Sequence, residues 1–250
     1  MNDLERAARQ AAESFPHKEI LSFEWDGKKY WLKRARKTGS NLLHHAVWRL
    51  SRFPLLVPVE SQSPREALEH ETSKLRRLAA EGISVPEVLL QSDAYFVMSH
   101  TGPTLRDRLY RNKANEPLTL AIFDALARLH RLGEYHGGSQ LRNLTWTGSE
   151  VAFIDFEEKF DGGADLNILQ LRDLFLLLFA FAKDRIPLDY ASHLRLYCEE
   201  SGNRDFDRRL REMIRPLGWM ERIVAFPPLW KVLDKDTRAT YRLFQEIKKL

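Results

Sequence analysis

The stretch 135–158 holds the side chains with the clearest potential for chemistry, separated by small and apolar residues. His136 opens a loop rich in glycine, and Asn143 ends that loop seven positions later. The apolar run 151–154, which predicts a buried strand, then leads directly to Asp155. Imidazole and carboxylate groups at the ends of a loop and a strand can bind polar ligands and move protons. We therefore take this stretch as the candidate active site.

The spacing of these residues resembles that of kinase catalytic sites, in which a loop H-R-D-L-x-x-x-N precedes a metal-binding D-F-G. Counting from His136, position +7 is Asn143, as the pattern requires, and Asp155-Phe156 stands where the pattern has its second aspartate. Position +2, which carries the catalytic aspartate in kinases, is Gly138. The stretch resembles a kinase site that lacks one carboxylate.

Two charged residues upstream could complete such a site. Lys33 ends the sequence Tyr-Trp-Leu-Lys, similar to the Val-Ala-Ile-Lys strand that offers a lysine to nucleotide phosphates, although no glycine-rich G-x-G-x-x-G precedes it. The alternative is a lysine on a solvated strand face. Glu71 lies in the apolar stripe of a predicted helix, where an unpaired carboxylate is costly, so we expect it to pair with Lys33. Glu66 and Glu69 are the competing candidates, and a solvent-facing helix glutamate is the alternative for Glu71.

The hydrophobic periodicity predicts elements that would position these residues. Alternation over 20–34, interrupted by the turn sequence Asp26-Gly27, predicts a β-hairpin, and 87–90 and 94–98 predict two further strands. Predicted helices cover residues 4–15, 41–53, 64–80, 105–109, 118–132, 166–183, 188–200, 204–214 and 235–250.

The order of these elements predicts an α+β fold with two lobes, like that of protein kinases. We expect an N-terminal helix over 1–19 and a small nucleotide-binding lobe over 20–101, built from an antiparallel sheet and a helix. A mostly helical lobe over 102–250 would carry the catalytic loop and the metal site. The sheet lobe would end in a hinge near residue 101.

Composition excludes several classes of protein. A 44% hydrophobic and 30% charged chain of 250 residues can bury a sizeable core and does not have a disordered composition. The net charge of +4 is compatible with an anionic partner such as a nucleotide, a phosphorylated sugar or a membrane surface, with no strong nucleic-acid signal. Cys198 is the single cysteine, which excludes an internal disulfide.

The same sequence predicts a cytoplasmic protein, either free or in peripheral contact with the inner face of the membrane. The first residues contain acids and no apolar core run, so they are not typical of a secretory signal. The longest uninterrupted apolar run, 174–182, is about half the length that a membrane-spanning helix needs.

Taken together, the motifs resemble the small bacterial and archaeal-type kinases more than the signalling kinases. The similarity is strongest to the lipopolysaccharide kinase family, followed by the RIO kinases, and it covers roughly residues 20–182. Aminoglycoside and choline-type kinases share the loop pattern. The matching residues are Leu129-His130, His136-Gly137, Ile154-Asp155-Phe156-Glu157 and the segment from Glu71 to Pro86.

This resemblance implies ATP and Mg²⁺ as the nucleotide and the metal. Lys33 would hold the α- and β-phosphates, with Glu71 orienting it, and Asn143 and Asp155 would bind Mg²⁺. His136 would brace the loop. The residues 157–164, between Asp155 and the next helix, are too few for a regulated activation loop, so a sugar or lipid-linked hydroxyl is expected as the acceptor.

Further loop residues are candidates for catalytic contacts together with His136. Gln140 and Arg142 are the long polar side chains of the loop, and Arg142 could contact the γ-phosphate or pin the loop to an acid. Arg172-Asp173 resembles the aspartate that braces kinase loops from below, the alternative being an acid in the first turn of a helix, favoured by the dipole.

Because position 138 is glycine, the sequence has no aspartate at the loop position that accepts the proton of the acceptor hydroxyl in kinases. A general base contributes about 10²–10⁴ in rate, whereas phosphoryl transfer depends mainly on positioning and charge stabilisation. Glu157 and Glu158 are the nearest carboxylates in sequence that could replace it. Three hypotheses follow: a phosphotransferase, a pseudokinase that binds nucleotide or a partner without transfer, and a non-catalytic basic adaptor for nucleic acid or anionic lipid.

Overall fold

The computed structural model describes residues 3–40, 56–113, 115–217 and 234–250. The helix predicted over 41–53 lies outside these residues. The N-terminal lobe contains, in chain order, α1 (Asp3–Ser14), β1 (Ile20–Trp25), β2 (Lys28–Arg34), α2 (Pro64–Ala80), β3 (Val88–Gln91) and β4 (Tyr95–Ser99). The four strands described in this lobe form an antiparallel sheet in the order β1-β2-β4-β3.

The hairpin of β1 and β2 sets which side chains face the site. Asp26 and Gly27 both adopt positive φ angles, 50° and 68°, as a two-residue turn of this kind requires. Alternate residues of β2 then point to opposite faces of the sheet. Tyr30 and Leu32 pack on one face with the apolar stripe of α1, so Lys33 lies on the other face, towards α2.

Helix α2 begins and ends where its sequence indicates. Ser63 and Glu66 form a reciprocal capping box at its start, and Gly82 follows its end with a φ of 78°. Its buried face carries Leu75 and Leu78 together with the carboxylate of Glu71. The helix thereby presents an acid to the sheet.

The C-terminal lobe is mostly helical and contains a short hairpin. Its described elements are α3 (Leu105–Arg111), α4 (Glu116–Arg131), a 3₁₀ turn (Leu141–Asn143), β5 (Leu144–Trp146), β6 (Val151–Phe153), α5 (Leu166–Asp184), α6 (Tyr190–Ser201), α7 (Phe206–Ile214), a second 3₁₀ turn (Arg215–Leu217) and α8 (Lys235–Lys248). Residues of α4 and α5 such as Phe123, Leu126 and Leu177 are fully buried at its centre. This arrangement confirms the predicted α+β class.

Differences from the predicted boundaries follow from capping side chains and from strand length. Asn115 accepts a hydrogen bond from the N–H of Leu118, so α4 begins at Glu116, two residues earlier than predicted. Strand β5 was not predicted, because its three residues, 144–146, do not form an uninterrupted apolar run like the one that predicts β6. Among the helices that the structure describes, none is long and apolar enough to cross a membrane.

Candidate active site

A cavity of about 250 Å³ lies where the sheet lobe meets the β5–β6 hairpin. Side chains from both lobes line it, among them Lys33 and Met98 from the sheet and Asn143 and Asp155 from the hairpin side. Gly102, at the hinge, allows the chain to pass close to β5, because a Cβ at this position would overlap the carbonyl oxygen of Trp146. Four of the predicted site residues, Lys33, Glu71, Asn143 and Asp155, therefore line a cleft between the lobes.

Lys33 is the centre of a cluster of carboxylates in this cleft. Its Nζ lies 2.8 Å from Glu71 Oε1, 2.6 Å from Asp155 Oδ1 and 3.3 Å from Glu157 Oε2. The residue is only 9% exposed, so the alternative of a lysine on a solvated strand face is wrong. The β2 strand and the α2 helix thus bring a buried ammonium group to the carboxylate that follows β6.

The two competing glutamates of α2 lie elsewhere. Glu66 belongs to the capping box with Ser63, and Glu69 pairs with Arg65 at 2.9 Å on the exposed face of the helix. Glu71, by contrast, is 3% exposed, so it is not a solvent-facing glutamate. Glu71 is the glutamate of this helix whose position in the apolar stripe directs it towards β2.

Burial and charge set the protonation of this cluster. Burial raises the pKa of Glu71 to about 7, although Lys33 opposes the shift. Burial acts to lower the pKa of Lys33, but Glu71, Asp155 and Glu157 outweigh it and raise the pKa above the usual value. Burial acts to raise the pKa of Asp155, but contact with Lys33 outweighs it and lowers that pKa. At neutral pH the cleft therefore holds a charged ammonium beside an ionised aspartate.

The β5–β6 hairpin brings Asn143 and Asp155 to neighbouring positions. Leu144 pairs with Phe153, and just beyond this pair the N–H of Ile154 donates to the carbonyl oxygen of Asn143 at 3.0 Å. Asp155 adopts a φ of 70°, a left-handed conformation that is uncommon for residues other than glycine and concentrates at functional sites. The Nδ2 of Asn143 donates to the carbonyl oxygen of Gly138 at 2.9 Å.

His136 braces the loop from inside the protein. Its Nδ1 accepts the N–H of Gly138 at 3.1 Å, so its proton is on Nε2, which donates to the carbonyl oxygen of Ile154 at 2.9 Å. Burial lowers the pKa of the imidazole and favours its neutral form. The side chain is fully buried and cannot contact an acceptor, so its place among the candidates for catalytic contacts is corrected to that of a brace.

Asp173 holds the start of the loop. Its carboxylate accepts the N–H of His136 at 2.6 Å and the N–H of Gly137 at 2.9 Å. The residue is fully buried and lies about two turns into α5, which begins at Leu166. The alternative of a first-turn acid favoured by the helix dipole is therefore wrong.

The other loop candidates differ in their surroundings. Gln140 is half-buried, and its hydrogen bonds to described residues come from its backbone. Arg142 is exposed and forms no ion pair with a described acid, so the structure does not show it pinning the loop. The arginine that holds the loop is Arg172, which donates to the carbonyl oxygen of Gly137. In the sequence, only its position next to Asp173 indicated a role at the loop.

Two further residues complete the charged cluster. Arg36 donates from Nε to Glu157 at 3.2 Å and pairs with Glu19 at 3.1 Å. Glu157 was part of the matched Ile-Asp-Phe-Glu motif, but Arg36 lies after β2 in a segment without periodicity, so sequence reasoning missed it. Lys33 and Arg36 thus place two cations on this wall of the cleft, each paired with carboxylates.

The oxygen atoms of the cleft fit a hard divalent cation. Asp155 Oδ2 and Asn143 Oδ1 accept no hydrogen bond from a described residue, and both side chains line the cavity. Within the described ranges, no three His, Cys, Asp or Glu side chains cluster as a metal site. Mg²⁺ typically uses one or two carboxylates with water and substrate phosphates, so a larger cluster is not required.

Comparisons with known proteins give low identities. No family model matches the sequence. A Haemophilus influenzae protein described as uncharacterized is 25% identical over 249 residues, which cover 98% of this chain and 96% of that protein. The structure of WaaP in complex with acyl carrier protein is similar with a TM-score of 0.49 and 18% identity, over 82% of this chain and 83% of that one. For an aminoglycoside-3'-phosphotransferase of type VIII the TM-score is 0.46 and the identity 14%, over 99% of this chain and 100% of that one.

Proposed function

We propose that the protein is an ATP- and Mg²⁺-dependent phosphotransferase that acts on a sugar or lipid-linked hydroxyl. The observation that carries this proposal is the bonding of Lys33 to both Glu71 and Asp155 inside the cleft. A buried ammonium paired with a helix glutamate and placed next to a metal-binding aspartate is the arrangement by which kinases bind nucleotide phosphates.

Each residue has a distinct part in this reaction. Lys33, held by Glu71, binds the α- and β-phosphates, and Arg36 adds positive charge to the same wall. Asp155 and Asn143 hold Mg²⁺, which neutralises charge on the phosphates when it is bound. Asp173 and His136 fix the loop that faces the acceptor. Because the transition state is loose, positioning and charge provide most of the catalysis.

The sugar or lipid-linked acceptor is inferred from the short connection after Asp155. Residues 157–164 link it to α5, and the backbone of Glu60 donates to Lys159 at 2.7 Å, which holds this connection against the segment before α2. Such a short connection offers no extended platform for a peptide. The motif similarity to lipopolysaccharide kinases supports the same class of acceptor.

Transfer from γ-phosphate-labelled ATP to soluble sugars and extracted glycolipids tests this proposal. We expect Asp155→Asn and Lys33→Met to lower turnover by about 10²–10³, because each removes a group that stabilises charge on the phosphates. Lys28→Ala is the matched control, since Lys28 is an exposed lysine on the same strand. Transfer at the wild-type rate by both cleft variants would exclude the proposed site.

A nucleotide-binding protein without transfer is the second candidate, favoured by Gly138. In that case MgATP at about 100 times its Kd still stabilises the protein by about 2.7 kcal/mol, or roughly 5–11 °C in Tm for a chain of this size. The shift disappears in Asp155→Asn, and no labelled product forms with any acceptor. Product formation by the wild type excludes this candidate.

A further inference from the structure

Glu158 lies beside the loop position that lacks a carboxylate. A Cβ at Gly138 would stand 3.9 Å from Glu158 Oε1 and 3.4 Å from Asn143 Nδ2. At 3.9 Å, Glu158 Oε1 would be in van der Waals contact with the Cβ of an aspartate at this position. The carboxylate therefore borders the space that the catalytic aspartate of the motif would occupy.

The neighbouring glycine makes room for the same side chain. Gly137 adopts a φ of 99°, and a Cβ there would lie 2.8 Å from the Cβ of Glu158. Such a separation is shorter than real Cβ atoms show, so any larger residue would displace Glu158. Gly137 and Gly138 thus form a surface against which Glu158 packs.

The two glutamates after Asp155 have different partners. Glu157 lies against Lys33 and Arg36 on the nucleotide side of the cleft. Glu158 Oε2 lies 3.0 Å from Arg172 Nη1, and its side chain is 31% exposed. The carboxylate of Glu157 is thus part of the phosphate-binding cluster, whereas that of Glu158 lies next to the loop on a partly exposed side chain.

The surroundings of Glu158 make its carboxylate a stronger proton acceptor than an exposed glutamate. Burial raises its pKa, and the ion pair with Arg172 only partly opposes this shift. The other titratable groups around it are Glu157, Asp173, Tyr135 and His70. The two acids add to the rise, and a raised pKa makes the carboxylate a stronger general base.

We propose that Glu158 is the general base, supplied from the segment after Asp155 in place of the aspartate absent at Gly138. This inference rests on the proposed phosphotransferase function. The acceptor oxygen forms a bond to the γ-phosphorus while its proton passes to the carboxylate of Glu158. The bond from the γ-phosphorus to the β,γ-bridging oxygen breaks, and ADP leaves with the electron pair. Glu158 then releases the proton to solvent.

The first experiment measures ADP release from MgATP with water as the acceptor, in wild type and Glu158→Gln. We expect turnover to fall by about 10²–10⁴ while the rise in Tm caused by MgATP remains. The wild-type rate should increase with pH through the pKa of Glu158, and the variant should lose that dependence. Glu150→Gln, an exposed glutamate in the β5–β6 turn, is the matched control.

A second variant moves the carboxylate back to the loop. Gly138 has no positive φ, and the space around its Cβ admits a side chain with small shifts. Adding Gly138→Asp to Glu158→Gln should raise turnover at least about tenfold above that of Glu158→Gln alone. This gain is a fraction of the effect of a general base. A merely structural role for Glu158 predicts no rescue.

The outcomes separate this inference from the function on which it rests. If wild type turns over and Glu158→Gln matches it in rate and pH profile, Glu158 is not the base, and the phosphotransferase stands. If wild type shows no more turnover than Asp155→Asn with water or any other acceptor, the proposed function fails and the inference fails with it.

Discussion

Replacing Asp173 with asparagine tests how the loop is held, independently of any activity. The carboxylate accepts two backbone N–H groups, from His136 and Gly137, and it is fully buried. Oδ2 accepts the N–H of His136 at 2.6 Å and a longer contact from Gly137 at 3.2 Å, whereas Oδ1 accepts Gly137 at 2.9 Å. In Asp173→Asn one of these oxygens becomes an NH₂ group, which cannot accept. The variant therefore loses a hydrogen bond to a charged group and leaves a buried N–H poorly paired.

The expected cost follows from these two losses. A hydrogen bond to a charged group contributes about 1.5–3 kcal/mol, and an unpaired buried donor costs about 1–3 kcal/mol. The two values overlap in part, so we expect the free energy of unfolding to fall by about 2–4 kcal/mol. Urea unfolding followed by circular dichroism measures this difference. Asp93→Asn is the control, since its side chain is 83% exposed and surface changes usually stay within about 0.5 kcal/mol.

The pH dependence gives a second readout with a defined sign. Burial acts to raise the pKa of Asp173, but its neighbours His130, His136 and Arg172 outweigh it and lower that pKa below the unfolded value. A lowered pKa contributes stability above the unfolded value of about 4 that is lost as the pH falls through the folded value. The free energies of unfolding of wild type and Asp173→Asn should therefore become more similar below about pH 4. A difference below about 0.5 kcal/mol at pH 7 would refute this account of the loop.

Two other substitutions test the packing of the site. Gly102→Ala should lower the free energy of unfolding by about 1–3 kcal/mol more than Gly148→Ala does. Both glycines have a positive φ, but of the two only Gly102 would bring its new Cβ against another stretch of backbone, at Trp146. Equal losses of stability in urea unfolding would contradict this close approach. Burial lowers the pKa of Lys74 to about 8, so the unfolded chain binds more protons between about pH 8 and 10, and stability rises there by at most about 1.4 kcal/mol per pH unit. Lys74→Met should remove this rise, and identical slopes in the two proteins would show that Lys74 titrates normally.

Much of the sheet lobe could be predicted from the sequence because its signals are local. A two-residue hairpin turn requires positive φ angles, which Asp26 and Gly27 adopt more readily than most residues, so this pair indicates the hairpin. The register of that hairpin then decides which face of β2 carries Lys33. Glu71 could be predicted for a related reason, since a carboxylate in an apolar stripe requires a partner.

The other half of the site depends on contacts that no local pattern contains. Arg172 lies on the same helix as Asp173, yet its contact with Gly137 depends on how α5 crosses beneath the loop. Arg36 reaches Glu157 across 121 positions of sequence. The direction of the chain after Asp155 depends on its left-handed backbone, which residue type alone does not predict.

Glu157 and Glu158 show why the missing aspartate does not decide between the two proposed functions. In the sequence they are adjacent and equivalent, and both were candidates for a base from outside the loop. In the structure one carboxylate contacts the cations of the nucleotide side, and the other packs on Gly137 and Gly138. A sequence motif shows at which position in the chain a carboxylate occurs, whereas catalysis depends on where its oxygen atoms lie in the folded protein. Gly138 removes the attachment point, and Glu158 brings carboxylate oxygens to the border of the same space.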